Sequence, residues 1–229
     1  MYLNKIFELE SSIKWCELKN THSDYIAEFW NSVSGICLCI SAIVFYRNFN
    51  RTRYYSFLSN ANNHLFIVGI GTILFHSTLL YVFQLFDEMP MLVITIEYLK
   101  IYSKITNKPV HFLVTYKWLI IKSIVASYFI HPQLQAILFL TVFTYSVYIV
   151  FFQLVELNKN ILHRSIRHKL YFYNTIVIVL FVTSLIIWSI DSLFCNTYEK
   201  YKLHAWWHVL TSIAIYYCNY IYMVILNNM

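Results

Sequence analysis

Apolar residues run along this chain in long blocks separated by short polar ones. A helix needs ~20 apolar residues to cross a bilayer, and seven stretches approach that length: residues 27–46, 62–83, 88–103, 110–130, 133–154, 171–191 and 203–225. The third is short, and the fourth carries Lys117 and Lys122. With three glycines and three prolines in the whole sequence there is little to break a helix. Backbone polar groups in lipid must also be satisfied within their own segment, which favours helix over open strand. The pattern predicts an all-α membrane protein, a seven-transmembrane helix bundle over residues 27–229, preceded by a polar segment over 1–26. That segment, with Glu8, Glu10, Lys14, Glu17 and Lys19, lacks the apolar core of a cleavable signal peptide. The first helix is therefore expected to direct insertion.

Composition agrees: 59% of the 229 residues are hydrophobic and 12% charged, where a soluble domain devotes roughly a quarter to charge. The distribution of charge predicts orientation, because Lys and Arg in short loops stay on the cytosolic side. The connections after the first, third and fifth helices hold Arg47, Arg51, Arg53, Lys100, Lys104, Lys108, Lys159, Arg164, Arg167 and Lys169. The opposite connections hold Lys5, Lys14, Lys19, Lys200 and Lys202, the first three diluted by acids, and a second loop around Gln84–Asp87 without a cation. The N-terminus is thus expected outside or in the lumen and the C-terminus in the cytosol. The net charge of +6 is accounted for by topology and anionic lipid heads, and nucleic acid is not expected as a partner.

Cys37, Cys39 and Cys218 fall inside apolar helices, where a thiol packs as a small hydrophobe. Cys16 and Cys195 lie in polar segments assigned to the oxidising side, where disulfides persist. A bridge between them would tie the N-terminal segment to the loop before the last helix. Two unpaired thiols are the alternative, since sequence does not supply the Cα separation a bridge demands.

The most specific chemistry lies in His204-Ala205-Trp206-Trp207-His208. Two histidines at i and i+4 share a helix face ~6 Å apart, so both imidazoles reach one metal ion. His76 in the second helix, followed by Asp87 at the mouth of the third, is a further donor at the same expected depth, roughly 8–12 Å below the non-cytosolic interface. Three histidine ligands with an open fourth position describe a catalytic zinc site, in which water is acidified to a pKa of ~7. Asp87 is then the candidate proton acceptor and donor. Thr72, one turn before His76, could aim its hydroxyl at developing oxyanion charge or bond back to the carbonyl four residues earlier. His22 and His131 read as surface residues, His64 and His111 as helix-start residues, and His163 and His168 as part of the basic loop between the fifth and sixth helices.

At this point the segments Trp15-Cys16-Glu17, Tyr25 to Asn31, Gly71-Thr72 to His76, Gln84 to Pro90 (QLFDEMP), Trp188 to Cys195 (WSIDSLFC) and HAWWH resemble, in order, the motifs of alkaline ceramidases. That family comprises seven-helix hydrolases of the endoplasmic reticulum and Golgi that cleave ceramide to sphingosine and a fatty acid, and it is related to adiponectin receptor-like proteins. The resemblance implies zinc on His76, His204 and His208, Asp87 as the acid/base, and a Cys16–Cys195 disulfide.

Two departures stand out. The family has Ser where this chain has Thr72, and the added methyl restricts χ1 and occupies space near the scissile carbonyl. The family's acidic calcium site is also degraded: Lys14 replaces an Asp and Lys19 an Asn, with Asn20 adjacent, leaving Glu17, Glu28 and the Trp15 carbonyl. Calcium wants six to eight oxygens, and this set is too sparse to supply them; Lys14 would itself supply positive charge. The leading reading is a zinc amidohydrolase with ceramide as substrate and the bilayer as its surroundings. A zinc-containing lipid receptor or sensor, and a structural membrane protein that binds no metal, are the alternatives. Nothing in the sequence specifies a protein partner.

Overall fold

The computed structural model describes residues 9–159 and 164–228; Lys5, Glu8 and His163 lie outside the described residues. Among the described residues seven helices of more than one turn form the fold: α1 Phe29–Phe49, α2 Tyr55–Thr78, α3 Tyr81–Thr106, α4 Lys117–Ser127, α5 Pro132–Lys159, α6 Arg164–Leu193 and α7 Leu203–Asn227. Single turns precede α4 (Phe112–Thr115) and α7 (Cys195–Tyr198, then a 3₁₀ turn). Among the described residues there is no strand, only an isolated bridge between Glu10 and Leu80.

By length and apolar composition, α1, α5, α6 and α7 can each cross a membrane. At 24 and 26 residues α2 and α3 are long enough but more polar. The uninterrupted fourth span expected over 110–130 is instead a turn and an 11-residue helix, broken at Tyr116. Lys117, just past the break, lies 3.9 Å from the buried Glu97 carboxylate. Exposure is inverted relative to a soluble protein. Ile40, Ile70, Ile137, Phe152, Phe172 and Ile186 are exposed, while Asn31, Thr72, Gln84, Gln135, Asn219 and the metal-capable histidines are buried. Such a surface is suited to lipid.

Neighbouring contacts close six helices into a ring, α1–α2–α3–α5–α6–α7 and back to α1, with α4 against α3 and α5. Without water between helices, close approach of backbones is a main source of cohesion. All three glycines of the sequence sit at such approaches. A Cβ on Gly35 would stand 3.0 Å from the Gly69 carbonyl, and one on Gly69 would stand 2.8 Å from the Cys39 amide, so α1 and α2 touch through backbone. Gly71 faces the backbone of Phe86 and Asp87 in the same way. Pro90, inside α3, has no N–H for the Phe86 carbonyl one turn earlier. That carbonyl lies against Gly71.

Residues 9–28 form a strap over one end of the ring. Ser11 N donates to Leu79 O, Tyr81 N to Leu9 O, and Ala27 N and Glu28 N to the Ser77 and His76 carbonyls. The strap thereby satisfies carbonyls left open at the end of α2. It also supports Leu79, a non-glycine residue at φ 56° that ends that helix. This turn corrects the expected boundaries. Leu79 to Phe83 continue the apolar run, so composition extends the second helix to residue 83. In the structure it stops at Thr78, and the expected loop around Gln84–Asp87 forms the first turns of α3.

Candidate metal centre and active site

His76 occupies the last turn of α2, and His204 and His208 the first two turns of α7. One nitrogen from each lies within 4.8 Å of the others, and all three side chains are buried. Among the described residues this is the one cluster of His, Cys, Asp or Glu arranged to hold a metal ion. Because α2 ends at Thr78, the three histidines share a level at the helix ends, under the strap.

Hydrogen bonding sets the tautomers of His76 and His208. His76 Nδ1 donates to Glu28 Oε2 over 2.6 Å, leaving the Nε2 lone pair without a protein partner. The Ser34 hydroxyl donates to Asn31 O, so it accepts from His208 Nδ1 at 2.7 Å, which leaves His208 Nε2 as an acceptor too. His204 stacks on the Trp15 indole at 3.8 Å between centroids, and its Nδ1 is likewise unpartnered. Buried ring nitrogens without partners are expensive, and three imidazoles with ligand nitrogens this close together fit a cation. A carboxylate behind a histidine ligand orients the ring and raises its basicity. Sequence reasoning placed Glu28 with the calcium set; the structure puts it behind His76.

Asp87 sits in the second turn of α3, and Thr72 Oγ1 donates to its Oδ1 over 2.5 Å. The alternative back-bond from Thr72 to its own helix is not made. Glu17 caps α1, its two oxygens accepting from Trp30 N and Asn31 N at 2.8 and 2.9 Å, a favourable place for an anion at a helix N-terminus. Asn20 is exposed and donates to Asp24 O, and Lys14 is exposed. Trp15 is turned inward onto His204. Cys16 and Cys195 are joined in a disulfide with Cα atoms 5.2 Å apart, which holds the strap and Trp15 over the histidines.

A cavity of about 300 Å³ begins at Thr72, Asp87, His204 and His208 and runs between the ring helices to Tyr98 and Cys218. Its walls are largely aliphatic and aromatic, and Ile137, which is 60% exposed, lines it on the outer side of α5. Also on its wall is Glu88, a buried acid that sequence reasoning passed over. Its adjacency to Asp87, and its position four residues after Gln84, were the available signals.

Residues 7–228 match the Ceramidase family. Alkaline ceramidase 3 of Mus musculus is 28% identical, covering 90% of this chain and 80% of its own length. Alkaline ceramidase of Arabidopsis thaliana is 27% identical over 91% of this chain and 81% of its own. Alkaline ceramidase 1 of Mus musculus is 27% identical over 94% and 80%. A match over nearly the full length, carried by a chain with this histidine cluster and cavity, places the protein in the ceramidase family.

Proposed function

We propose that the protein hydrolyses the amide bond of ceramide within the membrane, using a zinc ion held by His76, His204 and His208. The observation that carries this reading is the placement of three mutually facing, metal-capable imidazoles beside a carboxylate at the polar end of an apolar cavity. Three neutral nitrogen donors suit zinc. Zinc in such a site supplies Lewis-acid polarisation of a carbonyl and makes water more acidic.

The chain's own residues do the rest. Asp87 accepts the proton of the attacking water as its oxygen bonds to the amide carbon, and returns a proton to the nitrogen as the C–N bond breaks. The products are sphingosine and a fatty acid. The Thr72 hydroxyl donates to Asp87 while that carboxylate is ionised. Once Asp87 carries the proton it can donate in turn, which frees the Thr72 hydrogen for the oxyanion. Trp15, clamped by the disulfide, shields the site from water. The exposed Ile137 marks a sideways entrance from lipid, appropriate for a substrate that leaves the bilayer at a cost of ~0.8 kcal/mol per CH₂. The strap end would face the lumen of the endoplasmic reticulum or Golgi, and the basic end the cytosol.

The test combines metal analysis of purified protein with an assay of ceramide cleavage. About one equivalent of zinc per chain, lost together with activity in His204→Ala, is expected. Full, tightly bound zinc in that variant, or cleavage by metal-free protein, would overturn the assignment.

A further inference from the structure

Glu88 stands out as a buried carboxylate that the proposed chemistry does not use. It is 5% exposed and follows Asp87 on the same cavity wall. Among the described residues no cation lies within ion-pair distance of it. An unpaired anion in such surroundings is costly, and an ionisable group inside a membrane protein points to function.

Its neighbours are set to leave it as an acceptor. Gln84 Nε2 donates to Glu88 Oε1 over 2.7 Å, and Gln135 Nε2 donates to Oε2 over 2.8 Å. Neither amide is free to turn round. The Gln84 carbonyl accepts from Ser12 N, and the Gln135 carbonyl accepts from the Ser12 hydroxyl. One strap residue thus orients both amides, and both aim N–H groups at the carboxylate. A carboxylate offers about four acceptor positions, and these two bonds leave one on each oxygen. Three other hydroxyls on the cavity wall are committed to protein acceptors: Thr95 to Leu92 O, Thr211 to Trp207 O and Tyr98 to Asn219 Oδ1. Glu88 therefore presents strong open acceptor capacity next to Asp87.

We propose that Glu88 determines specificity for the head of the substrate, accepting a hydrogen bond from a hydroxyl of the sphingoid base while the amide is held beside Asp87. The protein would then select hydroxylated N-acyl amines over acyl amides lacking that hydroxyl. This inference rests on the ceramide reading. Ceramide carries two hydroxyls within three bonds of its amide nitrogen. Glu88 and the acid/base residue line the same cavity, so a group held by Glu88 shares the chamber in which the bond is cleaved.

The experiment uses purified full-length protein with its metal, assayed on ceramide, on 1-deoxyceramide and on the analogue lacking the 3-hydroxyl. The parent should prefer ceramide to one of the deoxy lipids by about 10- to 100-fold in kcat/KM, the range of a hydrogen bond to a charged group. In Glu88→Gln that ratio should fall to within about threefold of one, mainly through KM, because the wall then offers an amide in place of a carboxylate. A purely structural role would lower all three rates together and leave the ratio standing. Should Glu88→Gln fail to fold, Glu88→Asp keeps the charge, shortens the reach by one methylene and should also reduce the ratio. Equal cleavage of all three lipids by the parent, or an unchanged ratio in the folded variant, overturns this assignment alone. No cleavage of any of the three by the metal-loaded parent overturns the ceramide reading and this one with it.

Discussion

Gly71 offers the sharpest test of how the backbone positions the site. In Gly71→Ala the new Cβ would stand 2.6 Å from Asp87 N and nearer still to the Phe86 carbonyl. Ordinary contact is ~3.5 Å, so α2 and α3 must part by at least about 0.9 Å at this level. The Thr72–Asp87 hydrogen bond spans 2.5 Å, and the same displacement stretches it to about 3.4 Å or more, beyond the range of an O–H···O bond. Overpacking costs ~1–3 kcal/mol and the gain in helix propensity returns ~1 kcal/mol, so the net loss of stability is about 0–2 kcal/mol. Misplacing a catalytic group by ~1 Å costs on the order of 10²-fold in rate. Activity should therefore fall far more than stability. His76 lies five residues further along α2 and is held by Glu28, so zinc content should remain. The assay is sphingosine release from ceramide, with melting temperature and bound zinc measured on the same preparation. Turnover within about threefold of the parent at the same melting temperature would refute the reasoning, because the helices would then have absorbed the methyl without moving Asp87.

Further outcomes follow from the same geometry. Glu28→Gln should weaken zinc binding by ~10- to 100-fold, read by competition with a chelator, since the carboxylate that orients His76 is lost; unchanged affinity would show that the pair is incidental. Thr72→Ala should retain zinc and lose ~10²–10³ in kcat, while Thr72→Ser should match or exceed the parent; full activity in the alanine variant would remove Thr72 from the mechanism. Cys218 lies ten residues beyond His208 on α7, a rise of ~15 Å, which is about a dozen carbons of an extended chain. Filling that end with Cys218→Phe should lower kcat/KM for long-chain relative to short-chain substrates by at least ~10-fold; identical chain-length profiles with both tails varied would place the lipid tail elsewhere.

Several features were legible along the chain. Among the described residues four of the apolar runs, α1, α5, α6 and α7, form helices long and apolar enough to cross ~30 Å of hydrocarbon, because that length and the need to satisfy the backbone locally are both properties of a single segment. The His204–His208 pair follows from helical periodicity alone, and the family resemblance read from segments such as WSIDSLFC and HAWWH agrees with the family match over residues 7–228. The break at Tyr116 and the turn at Leu79 were hidden, since neither residue interrupts the apolar pattern. Leu79 holds its left-handed conformation beside hydrogen bonds from a strap more than sixty residues earlier.

The partners of polar side chains were decided only in three dimensions. Glu17 and Glu28 are indistinguishable as candidate cation ligands in sequence. One caps α1 and the other orients His76, because the strap runs past the end of one helix and into the start of another. Thr72 meets Asp87 rather than its own helix because Gly71 lets α3 approach at the level where Pro90 leaves a carbonyl free. Glu88 becomes an oriented acceptor through two glutamines and a serine drawn from three separate segments. Periodicity and hydrophobic thickness act within one helix and can be read along the chain. Which buried donor meets which acceptor depends on how closely two helix backbones approach and where they cross, and only the assembled bundle sets those distances.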